Sequence, residues 1–185
     1  MNPVNGMPLY YDENMRLVAG GVAPQKTGFG SYTHPVTGGW TNIFNYHNLE
    51  VSSLFTYAWG GVAYNNLKAR MIRNVKNGEV PYDGFLNEIW LKPGDEKPLP
   101  NPKLFSDTNV NSLFVENASY IRWKNIIVRY NLSEKLKIKG VSSFKITAQA
   151  NNLLTITGYE GIDPEITGIG QPVPRSFTLG LDVTF

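Results

Sequence analysis

The sequence contains no cysteine, and this absence removes several classes of protein at once. Without thiols there is no disulfide framework, no thiolate zinc site and no cysteine nucleophile. Charge is also scarce: charged residues make up 17% of the chain, against about 25% in typical soluble domains. The net charge of +2 comes from scattered Lys and Arg residues, so nucleic acid is not a predicted partner. The low charge favours a membrane or a secreted setting.

Long apolar runs are missing as well. No run approaches the length of about 18 residues that a transmembrane helix requires, so the sequence predicts none. The first residues, MNPVNGMPLYYDENM, lack the basic and apolar regions of a signal peptide. If the protein is exported, we expect its signal to lie outside this chain.

Groups that carry out catalysis are hard to find. The two histidines, His34 and His47, have no Asp or Glu at ligand spacing, so no metal site is predicted. No serine occupies a nucleophile elbow and no glycine-rich loop precedes a helix. Asp163 and Glu165 are the nearest approach to paired carboxylates, but they flank Pro164, where such residues more often shape a turn. The sequence therefore predicts neither an enzyme nor a cofactor.

The clearest pattern that is present lies in residues 175–185, RSFTLGLDVTF. Every second residue is apolar and the residues between are small or polar, which predicts a strand with two different faces. Eleven residues at about 3.3 Å each reach about 36 Å, enough to cross a bilayer at a tilt of about 45°. A soluble sandwich gives the same alternation, but an unprotected apolar end strand is an aggregation hazard in water. The apolar residues are Phe177, Leu179, Leu181, Val183 and Phe185.

Four further stretches alternate in the same way, and long connections separate some of them. Predicted strands therefore cover residues 39–46, 49–59, 119–132, 142–156 and 175–185, with His47-Asn48 as a tight hairpin turn. Residues 1–37 are predicted to form a loop-rich segment with a brief strand near 15–19, and residues 38–185 the main domain. The connection 60–117 is predicted to be a long loop carrying one short amphipathic helix at 65–76, and 157–174 a second loop.

The alternation also identifies residues that share the polar faces of these strands. In 142–156 that face is long and rich in amides, which suits the wall of a water-filled lumen. For each candidate, simple hydration of the wall is a sufficient role. The lumen-facing candidates are Arg129, Lys145, Gln149, Asn151 and Asp182.

Five motifs occur in an order that resembles the C-terminal end of the SusC/RagA-like TonB-dependent outer-membrane transporters. Together they span residues 38–185, and it is the ordered series that makes the resemblance specific. They are GGWTNIFNYHNLEVSSLFTYAWGG (38–61), EIWLKPGDEKPLPNP (88–102), ASYIRWKNIIVRYNLS (118–133), ITAQANNLLTITGYEGIDPEI (146–166) and PRSFTLGLDVTF (174–185).

The resemblance implies an all-β fold in which antiparallel strands form the C-terminal segment of a large transmembrane β-barrel of about 22 strands. It further implies a multi-pass protein of the Gram-negative outer membrane that imports an oligosaccharide or peptide with TonB-supplied energy. A SusD-like surface lipoprotein would cover the extracellular loops. The strand that ends in Phe185 resembles the signal read by the barrel-assembly machinery.

Connector lengths agree with this topology. The short connectors, His47-Asn48 and residues 133–140, would lie on the periplasmic side, and the long connections 60–117 and 157–174 outside, as in bacterial barrels. Five strands are fewer than the eight of the smallest closed barrels, and an open edge in lipid leaves backbone groups unpaired. We therefore expect this chain to be part of a barrel that other strands complete, with a plug and a TonB contact outside it.

A second hypothesis is a soluble, secreted β-sandwich that binds carbohydrate through exposed aromatic side chains such as Trp40, Trp90 and Tyr159. It requires the apolar faces of the strands to meet across two packed sheets. The exposure of those faces and of the three aromatic residues distinguishes the two hypotheses.

Overall fold

The computed structural model describes residues 1–19, 28–105, 112–136, 139–166, 168 and 170–185. In chain order the strands are β1 (Leu9–Tyr11), β2 (Leu17–Ala19), β3 (Val36–Tyr46), β4 (Leu49–Trp59), β5 (Val62–Tyr64), β6 (Val115–Asn117), β7 (Tyr120–Asn131), β8 (Ser143–Thr157) and β9 (Ser176–Thr184). The helices are α1 (Asn66–Lys76) and α2 (Ser133–Leu136), with 3₁₀ turns at Phe85–Asn87 and Ser112–Phe114. Antiparallel strands dominate, which confirms the predicted fold class. Among these helices, none is long and apolar enough to cross a membrane.

The chain forms two compact units that are discontinuous in sequence. One consists of Met1–Gly30 with Tyr64–Val115, and the other of Ser31–Ala63 with Glu116–Phe185. We call them the loop unit and the sheet unit. The predicted domain boundary at residue 38 stays a prediction. In the division by compactness, Met1–Gly30 belongs with Tyr64–Val115, and residues 31–37 belong with the sheet unit.

The sheet unit contains one five-stranded antiparallel sheet in the order β3-β4-β7-β8-β9. The β3–β4 hairpin turns at His47-Asn48, where His47 adopts a left-handed φ of 49° and Tyr46 pairs with Leu49. Strand β3 begins at Val36, three residues before the predicted start at 39. The predicted start is late because Gly38 and Gly39 interrupt the alternation of side chains that identifies a strand. Each neighbouring pair is antiparallel, so side chains that share a register row share a face.

Register places apolar and polar rows on opposite faces of the sheet. One apolar row crosses all five strands and holds Phe44, Val51, Val128, Ala148 and Leu179. The adjacent row holds Asn45, Glu50, Arg129, Thr147 and Gly180. The apolar face is uncovered: Leu179 is 83% exposed and Phe177 is 75% exposed. The apolar strand faces therefore do not meet across a second sheet within the described residues.

A bulge interrupts the middle of β7 and changes which residues face which side. The step from Leu54 to Phe55 in β4 lies opposite Asn125 and Trp123, so Lys124 is the extra residue. In β8, Asn152 and Leu153 lie between the partners of Asn125 and Trp123. Asn152 has a φ of 54°, a left-handed conformation that asparagine tolerates. The bulge puts Arg122 on the polar face and Trp123 on the apolar one.

The loop unit has a conventional apolar core. Helix α1 is capped by the Asn65 side chain, which accepts from the amide of Lys68 at 2.9 Å. Ala69 and Ile72 are the buried helical residues. Met71 and Val75 pack at the edge of this core. The core residues are Ala69, Ile72, Phe85, Ile89, Leu99, Phe105 and Phe114.

Residues 78–101, which their proline content predicts to be a surface loop, contribute several of these core side chains. Two segments lie side by side there in a parallel bridge between Ile89 and Leu99. The amide of Trp90 donates to the Leu99 carbonyl and the amide of Leu99 to the Glu88 carbonyl, both at 3.0 Å. Backbone pairing of this kind lets a proline-rich segment bury Ile89 and Leu99 without a regular strand.

The turn that joins these two segments is held by Asp95. Its Oδ2 accepts from the amides of Leu91 and Lys92, each at 3.0 Å. These two backbone donors lower the pKa of the Asp95 carboxyl, because they stabilise its charged form. Gly6, at a φ of 71°, packs on the Trp90 ring so closely that a Cβ there would lie 2.3 Å from a ring carbon. The N-terminal segment thus closes over this turn.

Candidate functional site on the polar face of the sheet

A row of amide side chains runs across β7, β8 and β9 on the polar face. Asn125 Nδ2 donates to Asn151 Oδ1 at 2.7 Å, and Gln149 Nε2 donates to the same oxygen at 3.1 Å. Asn151 Nδ2 in turn donates to Ser176 Oγ at 2.9 Å. These contacts fix the amide orientations and leave a polar, uncharged strip along the sheet.

The charged lumen-facing candidates lie on the same face as this strip, nearer to the His47-Asn48 end of the sheet. Arg129 forms an ion pair with Glu50, and both side chains are partly exposed. Lys145 and Asp182 are register partners in β8 and β9. All five lumen-facing candidates therefore share one face of the sheet. That this face lines a lumen stays a prediction.

The residues of the predicted assembly signal lie on the opposite, apolar face. Phe177, Leu179, Leu181 and Val183 pair in register with Ala150, Ala148, Ile146 and Phe144. Phe185 follows the end of β9 and is 89% exposed. Recognition of this strand by an assembly machinery remains a prediction, since the arrangement shows only that the row is apolar and uncovered.

The most buried charge in the sheet unit is Arg122, which is 1% exposed. Its two terminal nitrogens contact Asp163 Oδ1 at 2.7 Å and Glu165 Oε2 at 2.9 Å. The Tyr120 hydroxyl donates to the other oxygen of Glu165, and the guanidinium carbon lies 5.3 Å from the centre of the Tyr120 ring. The buried guanidinium is thus paired with two carboxylates and an aromatic face, as a buried charge requires.

Asp163 and Glu165 reach Arg122 because the chain turns around Pro164. Asp163 Oδ1 accepts from the amide of Glu165 at 2.9 Å, and its carbonyl accepts from the amide of Ile166 at 3.1 Å. The two carboxylates therefore shape a turn and also clamp that turn to the wall of the sheet. We call this set of residues, Tyr120, Arg122, Asp163 and Glu165, the arginine clamp.

Sequence reasoning did not identify Arg122 as a site residue. Plain alternation through β7 puts residue 122 on the same face as Ile126 and Val128, and only the bulge at Lys124 moves it to the polar face. The isolated arginine next to a tryptophan in an otherwise alternating strand was the available signal.

An open cavity of about 840 Å³ lies beside the arginine clamp in the sheet unit. Strand residues on one side and the connection before β9 on the other form its lining, including Arg122, Asn152, Leu154, Thr155, Pro172 and Pro174. Two buried polar atoms at this cavity, Arg122 Nε and Asn152 Oδ1, have no hydrogen-bond partner among the described residues. Unsatisfied buried polar atoms are rare in proteins, and both of these belong to residues that line the cavity.

The aromatic residues of the sandwich hypothesis divide between surface and interior. Trp40 is exposed, whereas Trp90 and Tyr159 are buried. Burial raises the pKa of the Tyr159 hydroxyl, with a smaller contribution from the charge of Glu116. Two of the three proposed carbohydrate platforms are therefore inaccessible. Within the described residues, no cluster of three His, Asp or Glu side chains could hold a metal ion.

Comparison with known proteins places this arrangement in a family, although no protein-family model matches the chain. A TonB-dependent receptor of Formosa agariphila is 30% identical over 166 residues, 80% of this chain and 16% of the receptor. SusC of Bacteroides thetaiotaomicron, a TonB-dependent receptor, is 37% identical over 83 residues, 41% of this chain and 8% of SusC. The chain is a segment of a SusC/RagA-like TonB-dependent receptor.

Solved structures extend the SusC/RagA likeness to the whole chain. The RagAB peptide importer in its 'open-open' state matches with a TM-score of 0.78 and 25% identity, covering 100% of this chain and 21% of that chain. The 'closed-closed' state gives a TM-score of 0.73 with 26% identity and 22% coverage of that chain. The loop unit, the sheet and the arginine clamp therefore all lie within a known part of the SusC/RagA fold, and the chain spans about a fifth of it.

Proposed function

We propose that the receptor to which this chain belongs imports glycans or peptides across the outer membrane, and that the five-stranded sheet forms part of its barrel wall. The observation that carries the proposal is the division of the sheet: Leu179 is 83% exposed on one face, whereas Arg122 is 1% exposed on the other. Such a sheet suits lipid on its apolar side and a wet lumen on its polar side.

The two outer strands of the sheet explain why the chain needs further strands. β3 and β9 each have a partner on one side only. In lipid an unpaired strand edge leaves backbone donors and acceptors unsatisfied, at several kcal/mol each. We propose that neighbouring strands of the same receptor pair with both edges and close the barrel.

The remaining assignments follow from the same proposal. Arg129, Lys145, Gln149, Asn151 and Asp182 face the lumen, and the apolar row of β9 with Phe185 serves as the signal for the barrel-assembly machinery. A SusD-like lipoprotein covers the outer loops, and the TonB complex acts through a part of the receptor outside this chain. The relatives support an importer: their names are those of TonB-dependent receptors and of a peptide importer.

The first experiment is fractionation of the host cell with an antibody against this chain. We expect the antigen in the outer membrane, migrating in gels with a mobility that changes on heating, as folded barrels do. Uptake of fluorescent glycans and peptides should fall in a mutant that lacks the receptor and in one that lacks TonB. An antigen found in the soluble fraction would refute the proposal.

A further inference from the structure

The cavity beside the arginine clamp lies along the edge of β8, not on one of its faces. Leu154 shares its register row with Trp123 on the apolar face, and Thr155 shares its row with Arg122 on the polar face. Both residues nevertheless line the cavity. Successive side chains of a strand point to opposite faces, so only a space along the strand edge can touch both.

That edge of β8 has no strand beside it in the described residues. β8 pairs with β7 as far as Thr157, which lies opposite Tyr120, but its pairing with β9 ends where Asn151 meets Ser176. Residues 152–157 therefore present one side of their backbone to the cavity. An exposed strand edge is a template for another extended chain.

The connection before β9 follows this edge but is poorly suited to pair with it. Pro172 and Pro174 line the cavity, and neither has an amide N–H to give to β8. The carbonyl of Pro174 instead accepts from Asn152 Nδ2 at 3.0 Å. The two prolines thus keep the connection from closing onto β8, and the slot stays open.

The free backbone edge of β8 indicates the chemistry of the occupant of the slot. A strand edge offers alternating N–H donors and C=O acceptors. A peptide backbone supplies one acceptor and one donor per residue, which matches such an edge. Because Asp163 and Glu165 already neutralise the Arg122 charge, the slot does not select an anion. Its volume of about 840 Å³ falls in the range of ordinary ligand sites.

We propose that this slot binds an extended peptide segment, which adds to the free edge of β8 as a further strand. Main-chain hydrogen bonds to residues 152–157 then give affinity, and the lining prolines and Leu154 contact alternate side chains. The inference rests on the proposed import function and deepens it, since it assigns a peptide substrate to one place on the wall.

The test uses the intact receptor in lipid nanodiscs and a fluorescent hexapeptide of alternating serine and valine, acetylated and amidated at its ends. Two copies carry N-methyl groups on alternate residues, one in each phase. Because alternate amides of a strand point to opposite sides, we expect one phase to lose about tenfold or more in affinity and the other to lose much less. Equal binding by both copies, or equal competition by maltohexaose, would overturn the proposal.

Two substitutions connect this binding to the slot. Asn152→Gly keeps the left-handed backbone but removes a side chain that lines the slot, and should weaken peptide binding about threefold to tenfold. Leu153→Ala changes the next residue, which is not part of the lining, and should leave affinity within about twofold. If both variants bind like the parent receptor, the peptide lies elsewhere and the assignment is wrong.

Hydrogen exchange separates a free peptide from a segment of the receptor itself as the occupant. Amides of residues 154–157 that face the slot should exchange readily in the receptor alone and become protected when the hexapeptide is added. Protection that is already complete without peptide would show that the receptor fills its own slot, and would overturn the proposal. TonB-dependent uptake that persists in that case would leave the proposed function standing.

Discussion

The loop unit and the sheet unit of this chain distribute polarity in opposite ways. In the loop unit, Phe114 and Ile72 are fully buried, as in any water-soluble domain. In the sheet unit, Leu179 is largely exposed and the most buried large side chain is an arginine. Both come from one chain, and on the proposed placement of the sheet in a barrel wall the difference reflects the surroundings of each part. A domain in water hides apolar side chains, whereas a wall between lipid and a wet lumen exposes them.

Replacement of a phenylalanine by alanine should show the difference between the two units most clearly. Phe114→Ala leaves a cavity in a dry core and should lower the stability of the loop unit by about 3–5 kcal/mol. Phe177→Ala, on the uncovered face, should cost less than about 1 kcal/mol, because no packed core surrounds this side chain and, on the proposed placement, lipid refills the space. Hydrogen exchange of the α1 and β9 amides in the intact receptor measures both. Similar losses at the two positions would mean that both phenylalanines occupy the same kind of environment.

Breaking the arginine clamp should lower the stability of the sheet unit by about as much as Phe114→Ala lowers that of the loop unit. Arg122→Met leaves two carboxylates without their partner, and breaking a buried pair in this way costs about 3–5 kcal/mol. Arg129→Met breaks a partly exposed pair with Glu50 and should cost about 0–1 kcal/mol. Exchange protection of residues 161–166 should fall in the first variant only.

A combined variant tests the reason for that loss. Neutralising the carboxylates together with Arg122→Met, through Asp163→Asn and Glu165→Gln, should recover part of the protection, because no unpaired buried charge remains. If the combined variant is as unprotected as Arg122→Met alone, the loss comes from packing of the arginine chain and not from the clamp charges.

A positive charge placed on either face of β9 should sharpen the contrast within the sheet. Leu179→Lys lies in an apolar row and, on the proposed placement in lipid, should cost about 2–4 kcal/mol. Thr178→Lys lies one residue away on the polar face and should be nearly neutral. The folded fraction in lipid vesicles, read from heat-dependent gel mobility, compares them. A Thr178→Lys receptor that folds less well than Leu179→Lys would invert the assignment of the faces.

The smallest effect concerns pH and the loop unit. The Leu91 and Lys92 amides lower the pKa of Asp95, so its carboxylate stabilises the folded turn above the unfolded value of 3.8. That contribution is lost as pH falls through the lowered folded pKa. Asp95→Asn should remove this acid dependence, whereas the neighbouring Glu96→Gln should keep it. Exchange protection of residues 88–99, compared between variants at each pH, gives the measurement.

Local patterns in the sequence predict most of the sheet but not its clustered charges. Alternation from Leu49 to Trp59 and the His47-Asn48 turn are properties of neighbouring residues, and the strand ends fall close to the expected positions. The clamp joins Arg122 to Asp163, 41 positions away, and to Glu165, through a turn and a bulge. Neither feature has a periodic signature, so the buried arginine became visible only in the fold.

The loop unit shows a second limit of sequence patterns. Many prolines between residues 78 and 101 predict a surface loop, yet Ile89 and Leu99 enter the core. Proline density reports that regular hydrogen bonding is absent; it does not report burial. Buried irregular backbone is possible here because Trp90 and Leu99 exchange main-chain hydrogen bonds with their surroundings.

The extra residue at Lys124 has one more consequence, for how such walls change over time. Alternate residues of a strand face opposite sides of the sheet. The extra residue reverses this alternation in β7 for Tyr120 to Trp123, whereas residues 125–131 keep theirs. Gain or loss of one residue there exchanges the residues of the polar and apolar faces in the rows of Tyr120 to Trp123 and leaves the other rows unchanged. The polar face can thereby gain an arginine in place of a tryptophan without any substitution.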